Sequence, residues 1–228
     1  MNLKSSKIKN IIKKSIFGLI ALLVGGFFLK IAIWENHYIS EKTGSERKTV
    51  SAVEKNESEV DETEITEAEI AEYSVPANQP KYLTINSIGV TNARILSVGT
   101  KPSGELDTPI NIFDVGWYNQ SSIPGGGKVM VLDGHNGGPT KVGVFKYLPN
   151  VNIGEKIIIE RGDGQLFTYT VKENVTVPLS ESNAYMKTAF KTPEAGKESL
   201  SIITCTGDWS QTQQTYLSRQ FLRATLDN

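Results

Sequence analysis

The sequence predicts an all-β domain of seven or eight strands, a closed barrel or a sandwich, from residue 81 onward. Short apolar and β-branched runs alternate there with turn residues at close spacing, as expected for such folds. Gly162, Asp163 and Gly164 separate two of these runs and predict a hairpin. Only 143–148 and a stretch in the 180s favour short helices. The predicted strands are 82–85, 93–98, 128–132, 156–160, 166–171, 200–204 and 220–225.

Overall charge and cysteine count exclude several classes of protein. The 228 residues include 24 Lys and Arg against 25 Asp and Glu, so the formal net charge is −1. A chain so close to neutral lacks the positive field of a nucleic-acid-binding protein. One cysteine excludes an intramolecular disulfide framework and a multi-cysteine zinc site. Two histidines, His37 and His135, nearly exclude a histidine-based metal centre.

The first 34 residues predict a membrane anchor. Residues 1–14 contain five lysines and no acid, whereas 15–34 are apolar except for Ser15 and Lys30. About 20 apolar residues suffice to cross a bilayer as a helix, and the positive-inside rule places a basic tail in the cytoplasm. A cleaved signal peptide would need small residues after the apolar run, where only Ala32 occurs. We therefore expect an uncleaved single-pass anchor at the cell membrane, with the rest of the chain outside the cytoplasm.

Residues 35–80 predict an acidic, flexible stalk. The segment 51–73 is rich in Glu, Ser and Thr, and its apolar residues are scattered. Such a segment buries too little surface to offset the entropy lost on ordering. A helix over 62–73 is the alternative, since Glu, Ala and Ile are compatible with one. The folded domain is accordingly predicted at 81–228, which is long enough to bury a substantial core.

Two side chains at predicted strand ends are candidates for catalysis. Cys205 ends an apolar run just before a turn at Gly207. A lone thiol in an oxidising compartment is a liability unless it is buried or used, and its position alone favours neither a reactive thiol nor a small core residue. His135 lies where another strand meets a glycine-rich loop, and it is the only histidine of the outer domain. If Cys205 needs an imidazole partner, that partner is His135.

Arg219 and Arg223 lie in the last predicted strand. Their spacing puts both side chains on one face of that strand. A guanidinium that points into a cleft could stabilise an oxyanion. A solvated arginine at a strand edge fits the spacing equally well for either residue.

Together these residues resemble the sortase family. The resemblance rests on Gly134-His135-Asn136, on the strand end Ser201-Ile-Ile-Thr-Cys205, and on Arg219 fourteen residues later. It continues through 87–90, 104–107, 116–118 and 124–125 and covers 82–226. The family's signature is Thr-Leu-x-Thr-Cys, and the two replacements here keep polarity and shape. The resemblance implies a closed eight-stranded β-barrel with one or two short helices, and His135, Cys205 and Arg219 as catalytic residues.

The resemblance also implies a function. Sortases are membrane-anchored cysteine transpeptidases that cleave a sorting signal resembling Leu-Pro-x-Thr-Gly and transfer the acyl group to a cell-wall or pilin amine. The implied partners are surface proteins bearing such a signal, a wall precursor or pilin amine, and the membrane. No cofactor is implied; some sortases bind calcium, but the acids of the outer domain are too dispersed to place such a site. An Asp-Pro-aromatic lid motif of the pilin type is not evident, which favours a housekeeping role.

The resemblance also implies that the connection 178–199 walls the groove that binds the signal. A connection of this length usually has a use, and a short helix in it could present one apolar face. The predicted substrate-binding residues are Tyr185, Met186, Ala189 and Phe190 in this connection, together with Thr204 and Asn136 beside the catalytic pair.

Two other functions stay open on the sequence alone. A cysteine hydrolase on the same scaffold would use water as the acceptor. A non-catalytic, anchored β-domain that binds a wall partner would leave Cys205 inert. An added amine in a peptide-cleavage assay distinguishes the first alternative, and thiol labelling of the folded domain distinguishes the second.

Overall fold

The protein is described here by a computed structural model that covers residues 60–227. Eight strands close into a barrel in the order β1-β2-β3-β4-β7-β8-β6-β5, and two short α-helices accompany them, which confirms the predicted barrel. The helices are α1 (Glu67–Glu72) and α2 (Leu179–Ala189). The strands are β1 (Pro80–Ile85), β2 (Val90–Val98), β3 (Val115–Tyr118), β4 (Val129–Gly134), β5 (Lys156–Arg161), β6 (Leu166–Pro178), β7 (Ser199–Ser210) and β8 (Thr215–Leu226).

Alternation along the strands builds the barrel interior. Successive side chains of a strand point to opposite faces, so every second residue of β5 and β6 enters the core. Ile157 and Ile159 of β5 and Tyr169 of β6 are fully buried in this way. A second, smaller cluster lies beneath α2 and includes Ala189 and Phe221. Helix α2 therefore packs mainly on β8 and β6.

The pairing of β4 with β7 sets the position of the site. These strands run parallel, from Val129 opposite Ser199 to Asp133 opposite Ile203. The carboxyl ends of parallel neighbours meet at one edge of a sheet. Strand β8 then pairs with β7 in the antiparallel sense, so three strands bring side chains to the same edge.

Two local predictions differ from the structure. Strand β3, Val115–Tyr118, was not predicted, because it has four residues and includes Gly116, which weakens the strand pattern. The helix predicted at 143–148 is instead a series of turns followed by a 3₁₀ turn at Leu148–Asn150. Six residues that begin with a glycine and precede a proline are too few to offset the entropy of helix nucleation.

The prediction of a flexible stalk is wrong for residues 60–79. Helix α1 carries a capping box, in which Thr66 and Glu69 bond each other's backbone amide, and it approximates the alternative helix predicted at 62–73. The Tyr73 hydroxyl donates to the carbonyl oxygen of Ile95 at 2.5 Å, and the Tyr82 hydroxyl donates to that of Ile70. The few scattered apolar and aromatic residues of this segment thus pack individually on the barrel and do not need a core of their own.

Within residues 60–227, none of the helices is both long enough and apolar enough to cross a membrane. The predicted basic tail (1–14), anchor (15–34) and remaining stalk (35–59) lie outside the described residues and stay predictions.

Candidate active site

A groove of about 630 Å³ on the barrel surface brings together much of the predicted site. Its walls come from the connection between β2 and β3, from β4, β7 and β8, and from helix α2. The residues that line it include Asp133, Met186, Phe190, Thr204, Cys205 and Arg219.

Cys205 and Arg219 are direct neighbours across the β7–β8 pair. The thiol is free and half-buried. The guanidinium donates to the carbonyl oxygens of Tyr216 at 2.9 Å and Ser218 at 3.0 Å, and to the Thr215 hydroxyl at 3.1 Å. Because these bonds restrict the side chain, Arg219 presents a fixed positive charge beside the sulfur.

Burial and charge act in opposite directions on the thiol. Burial raises the pKa of Cys205, Arg219 lowers it by attraction to the thiolate, and Asp133 raises it further by repulsion. Burial is the largest of these effects, so the net pKa lies above the ordinary value of a thiol. The resting form of Cys205 at neutral pH is therefore the thiol.

His135 lies at the same edge of the barrel. It follows Asp133, whose partner is Ile203, by two residues, and Cys205 follows Ile203 by two residues on the neighbouring strand. Its ring atom Nε2 lies 2.7 Å from the carbonyl oxygen of Pro109. A carbonyl only accepts hydrogen bonds, so Nε2 carries a hydrogen and Nδ1 is the nitrogen that gains or loses a proton.

Burial also determines the protonation of His135. Removal from water lowers the pKa of the imidazole, and the bond to Pro109 offsets only part of that effect. Neutral imidazole and neutral thiol are therefore the resting pair. The two shifts widen the gap between the pKa values of His135 and Cys205.

Thr204 connects the two strand ends. Its side chain is 3% exposed, and its hydroxyl donates to the carbonyl oxygen of Gly134 at 2.8 Å. Thr204 lines the groove, as its predicted role in substrate binding requires, but its hydroxyl is already used to hold β7 against β4 beside His135 and Cys205.

Asp133 is a site residue that sequence reasoning missed. It lines the groove, is 9% exposed, and accepts a hydrogen bond from the Thr108 hydroxyl at 2.6 Å. Its Oδ1 atom has no hydrogen-bond partner within the described part of the chain. Burial raises the pKa of this carboxyl to about 7. The available signal was an acid in an otherwise apolar strand, two residues before His135.

Two of the four groove residues predicted in the connection 178–199 line the groove, one in helix α2 and one directly after it. Met186 and Phe190 line the groove, and the Phe190 ring meets Tyr118 edge to face with centroids 5.9 Å apart. Tyr185 packs on Phe221 with centroids 4.8 Å apart, and Ala189 is fully buried. A single apolar stripe of a helix cannot face both the barrel and the groove, and Tyr185 and Ala189 face the barrel.

Asn136 does not line the groove. It is 5% exposed, and its backbone carbonyl oxygen accepts a hydrogen bond from Gly143 at 2.8 Å, which closes the loop after β4. Its position next to His135 in sequence predicted a substrate contact, whereas the structure gives it a role in loop geometry.

A small hairpin at 100–106 forms the wall opposite α2. Thr100 and Leu106 pair in it, and the Lys101 amide donates to the carbonyl oxygen of Glu105 at 2.8 Å. The groove is thus lined by the apolar side chains of Met186, Phe190 and Leu106 and also by polar ones, including those of Lys101, Ser182 and Asn183. An extended peptide with an apolar end and a carbonyl at Cys205 would suit this arrangement.

Comparison with known proteins places this domain in a family. A family model described as a Sortase domain matches residues 83–227. No curated protein matches the chain. Similar solved structures include sortase C of Streptococcus pneumoniae, with 19% identity, 73% of this chain and 74% of that chain covered, and a TM-score of 0.48. A lid mutant of Corynebacterium diphtheriae sortase A has 21% identity, coverages of 67% and 71%, and a TM-score of 0.47. Actinomyces oris sortase C-1 has 24% identity, coverages of 64% and 72%, and a TM-score of 0.46.

Proposed function

The chain belongs to the sortase family of cysteine transpeptidases, and we propose that it cleaves a sorting signal resembling Leu-Pro-x-Thr-Gly in surface proteins and transfers the acyl group to a cell-wall or pilin amine. The observation that carries the proposal is the direct pairing of Cys205 with Arg219 at a peptide-sized groove. His135 follows β4 at the edge where Cys205 lies on β7.

The proposed reaction has two steps. The Cys205 thiolate attacks the threonine carbonyl, and imidazolium His135 gives its Nδ1 proton to the glycine amine as the peptide C–N bond breaks. The acyl group is left bound to Sγ as a thioester. An incoming amine attacks this thioester and loses a proton to His135, so an amide forms and the thiolate is regenerated.

Arg219 is proposed to stabilise the negative charge on the substrate carbonyl oxygen. Its guanidinium is held in place by three acceptors and lies beside the sulfur. A donor fixed before the reaction needs no reorganisation when charge develops. The apolar side chains Met186, Phe190 and Leu106 are proposed to hold the Leu-Pro end of the signal.

A single assay tests the proposed activity. The full-length chain in detergent is incubated with a fluorogenic Leu-Pro-x-Thr-Gly peptide, with and without an added primary amine. We expect cleavage that accelerates with the amine and an amide product that contains it. Cleavage without incorporation of the amine would support the hydrolase instead, and no cleavage together with an unreactive thiol would support the non-catalytic binding domain.

The membrane location is a separate proposal. The basic tail at 1–14 and the apolar run at 15–34 support a single-pass anchor with its N-terminus in the cytoplasm. This would place the barrel outside the cytoplasm, where wall precursors and surface proteins meet.

We expect the pH profile of kcat/KM to be a broad bell. The active form pairs thiolate with imidazolium, and its fraction is constant between the two pKa values and falls outside them. The pKa of His135 is below 6.5 and that of Cys205 is above 9.0. The acidic limb should therefore lie below pH 6.5 and the alkaline limb above pH 9.0. Initial rates from pH 5 to 10 measure this, and a narrow peak with both limbs inside that interval would contradict the burial of the pair.

Arg219→Ala and Arg223→Ala should have different effects. Loss of a fixed oxyanion donor is expected to reduce kcat by about 10²- to 10³-fold for Arg219→Ala, while folding is preserved. Arg223 is 7% exposed, pairs with Glu173 and donates to the carbonyl oxygen of Lys191 at 2.8 Å. Arg223→Ala should therefore lower thermal stability and leave the kcat of the folded enzyme nearly unchanged. Steady-state kinetics and thermal unfolding distinguish the two, and a reversed pattern would assign the oxyanion role to Arg223.

A further inference from the structure

The segment at 60–64, here called the strap, contacts both parts of the chain that hold His135. On one side it pairs with the segment 108–112. The Asp61 amide donates to the carbonyl oxygen of Ile110 at 2.9 Å, and the Ile112 amide donates to that of Asp61 at 2.9 Å. The Asn111 side-chain amide also donates to the carbonyl oxygen of Thr63 at 2.8 Å. These bonds form a short parallel bridge outside the barrel.

On its other side the strap binds the loop 136–143. The Glu62 carboxylate accepts hydrogen bonds from the backbone amides of Thr140 and Lys141, both at 2.8 Å, and from the Thr140 hydroxyl. Lys141 also pairs with Glu64 at 3.0 Å. Hydrogen bonds to an ionised acceptor are stronger than neutral ones. The same contacts, led by that of the Thr140 hydroxyl, lower the pKa of Glu62, so it is ionised at neutral pH.

Both contacted parts of the chain fix the imidazole. Pro109, in the first, supplies the carbonyl oxygen 2.7 Å from Nε2 of His135. The second is the loop that follows His135 directly and is closed by the bond from Gly143 to Asn136. The backbone carbonyl oxygen of His135 also accepts from the Phe145 amide at 3.0 Å. The strap therefore connects segment 108–112, which contains the hydrogen-bond acceptor of the imidazole, to the loop that directly follows His135.

We propose that the strap is a positioning element for the catalytic base, in which Glu62 and the Asp61 backbone clamp the 136–143 loop to the 108–112 segment and so fix the orientation of His135. This inference rests on the proposed function of His135. Proton transfer requires the donor atom to lie within hydrogen-bond reach of the reacting group. A loop outside the barrel would otherwise move more than the strands do. Glu62 does not line the groove and acts only through the loop.

Three variants of the full-length chain test the proposal. Glu62→Ala removes all the bonds that the carboxylate accepts, whereas Glu62→Gln keeps a side-chain oxygen that can still accept. Glu72→Ala is the matched control, because it removes an exposed acid of the neighbouring helix α1. Each variant is assayed for kcat and KM with the fluorogenic peptide and the amine, and its unfolding temperature is measured.

A second readout reports on the imidazole itself. NMR titration follows the imidazole resonances, of which the chain has two, and a His37→Ala background assigns that of His135. Burial lowers the pKa of His135. A loosened loop admits water to the ring, so its pKa should rise toward 6.5 in Glu62→Ala. A role confined to stability would leave this value unchanged in the folded fraction.

We expect Glu62→Ala to lower kcat by roughly 10- to 100-fold with little change in KM, as for a misplaced catalytic group. In Glu62→Gln the kcat should fall about threefold, and in Glu72→Ala it should equal that of the parent protein. An unchanged kcat, or a loss that only follows the unfolded fraction without a change in the pKa of His135, would overturn the proposal. If the parent protein shows no transfer or cleavage, the proposed function fails, and the NMR comparison still decides whether the strap fixes the imidazole.

Discussion

Replacing Cys205 by alanine is expected to abolish both cleavage and transfer. The thioester forms on Sγ, and no other thiol exists in the chain. Without a nucleophile, the groove and Arg219 could only bind the peptide, so the rate should fall to that of the uncatalysed reaction. Mass spectrometry of the full-length protein after a short incubation should show an acyl adduct on the parent protein and none on Cys205→Ala.

The variant should remain folded. Cys205 is half-buried, and Arg219 beside it is held by its own three acceptors, so removal of one sulfur atom leaves the strand pair intact. Circular dichroism and thermal unfolding serve as controls, and Cys205→Ser provides a closer steric match. An acyl adduct that persists in Cys205→Ala would mean that a different side chain is the nucleophile, and the proposed mechanism would have to be abandoned.

Local patterns were sufficient to predict an all-β domain and to single out Cys205 and His135, whereas the closed eight-stranded barrel was implied by the resemblance to sortases. Strand alternation is a short-range signal, and β5 and β6 follow it closely. Cys205 and His135 stood out because they are the only residues of their type in the outer domain. Choosing between Arg219 and Arg223 required the resemblance to sortases, since one strand face carries both. The structure separates them by their partners, because only Arg219 lines the groove.

Contacts between distant segments were beyond the reach of such patterns. The strap bonds residues 48 positions away at Asn111 and 78 positions away at Thr140, and neither contact leaves a periodic signal. The acidic segment of low hydrophobicity was therefore predicted to be a flexible stalk, although polar side chains such as that of Glu62 bond it to the barrel domain. The face of α2 that meets the barrel was ambiguous for a similar reason, since spacing identifies a stripe and not its partner.

The strap moves the start of the folded domain to a position before residue 81. The sequence placed that boundary at residue 81, which would remove Glu62 and the contacts of Tyr73 with β2. The bonds that the strap makes to segment 108–112 and to the loop after His135 would then be lost. Truncation at residue 81 would therefore change both the stability of the domain and the position of His135. The single change Glu62→Ala leaves the Tyr73 contacts in place and so tests the position of His135 by itself.

Replacing His135 by alanine is expected to reduce kcat by about 10³- to 10⁴-fold, the upper part of the range for a lost general acid and base. The thiolate of Cys205 could still attack the threonine carbonyl, but the glycine amine would have to leave without a proton donor. Because the rate would then follow the thiolate fraction alone, the alkaline limb of the pH profile should disappear and the rate should rise with pH up to the pKa of Cys205. His37→Ala is the matched control, because it removes the other histidine, near the end of the predicted anchor, and should leave kcat unchanged.

Added imidazole supplies a further test of that role. A small base that diffuses into the space left by the side chain should restore part of the activity of His135→Ala and none of that of Cys205→Ala. If His135→Ala instead keeps more than about a tenth of kcat, the proton must travel through another group. Asp133 would be the first candidate, since it lines the groove together with Cys205 and has one carboxyl oxygen unpaired among residues 60–227 and a pKa of about 7. The double variant His135→Ala, Asp133→Asn would then lose the remaining activity, whereas it should add nothing if His135 is the acid and base.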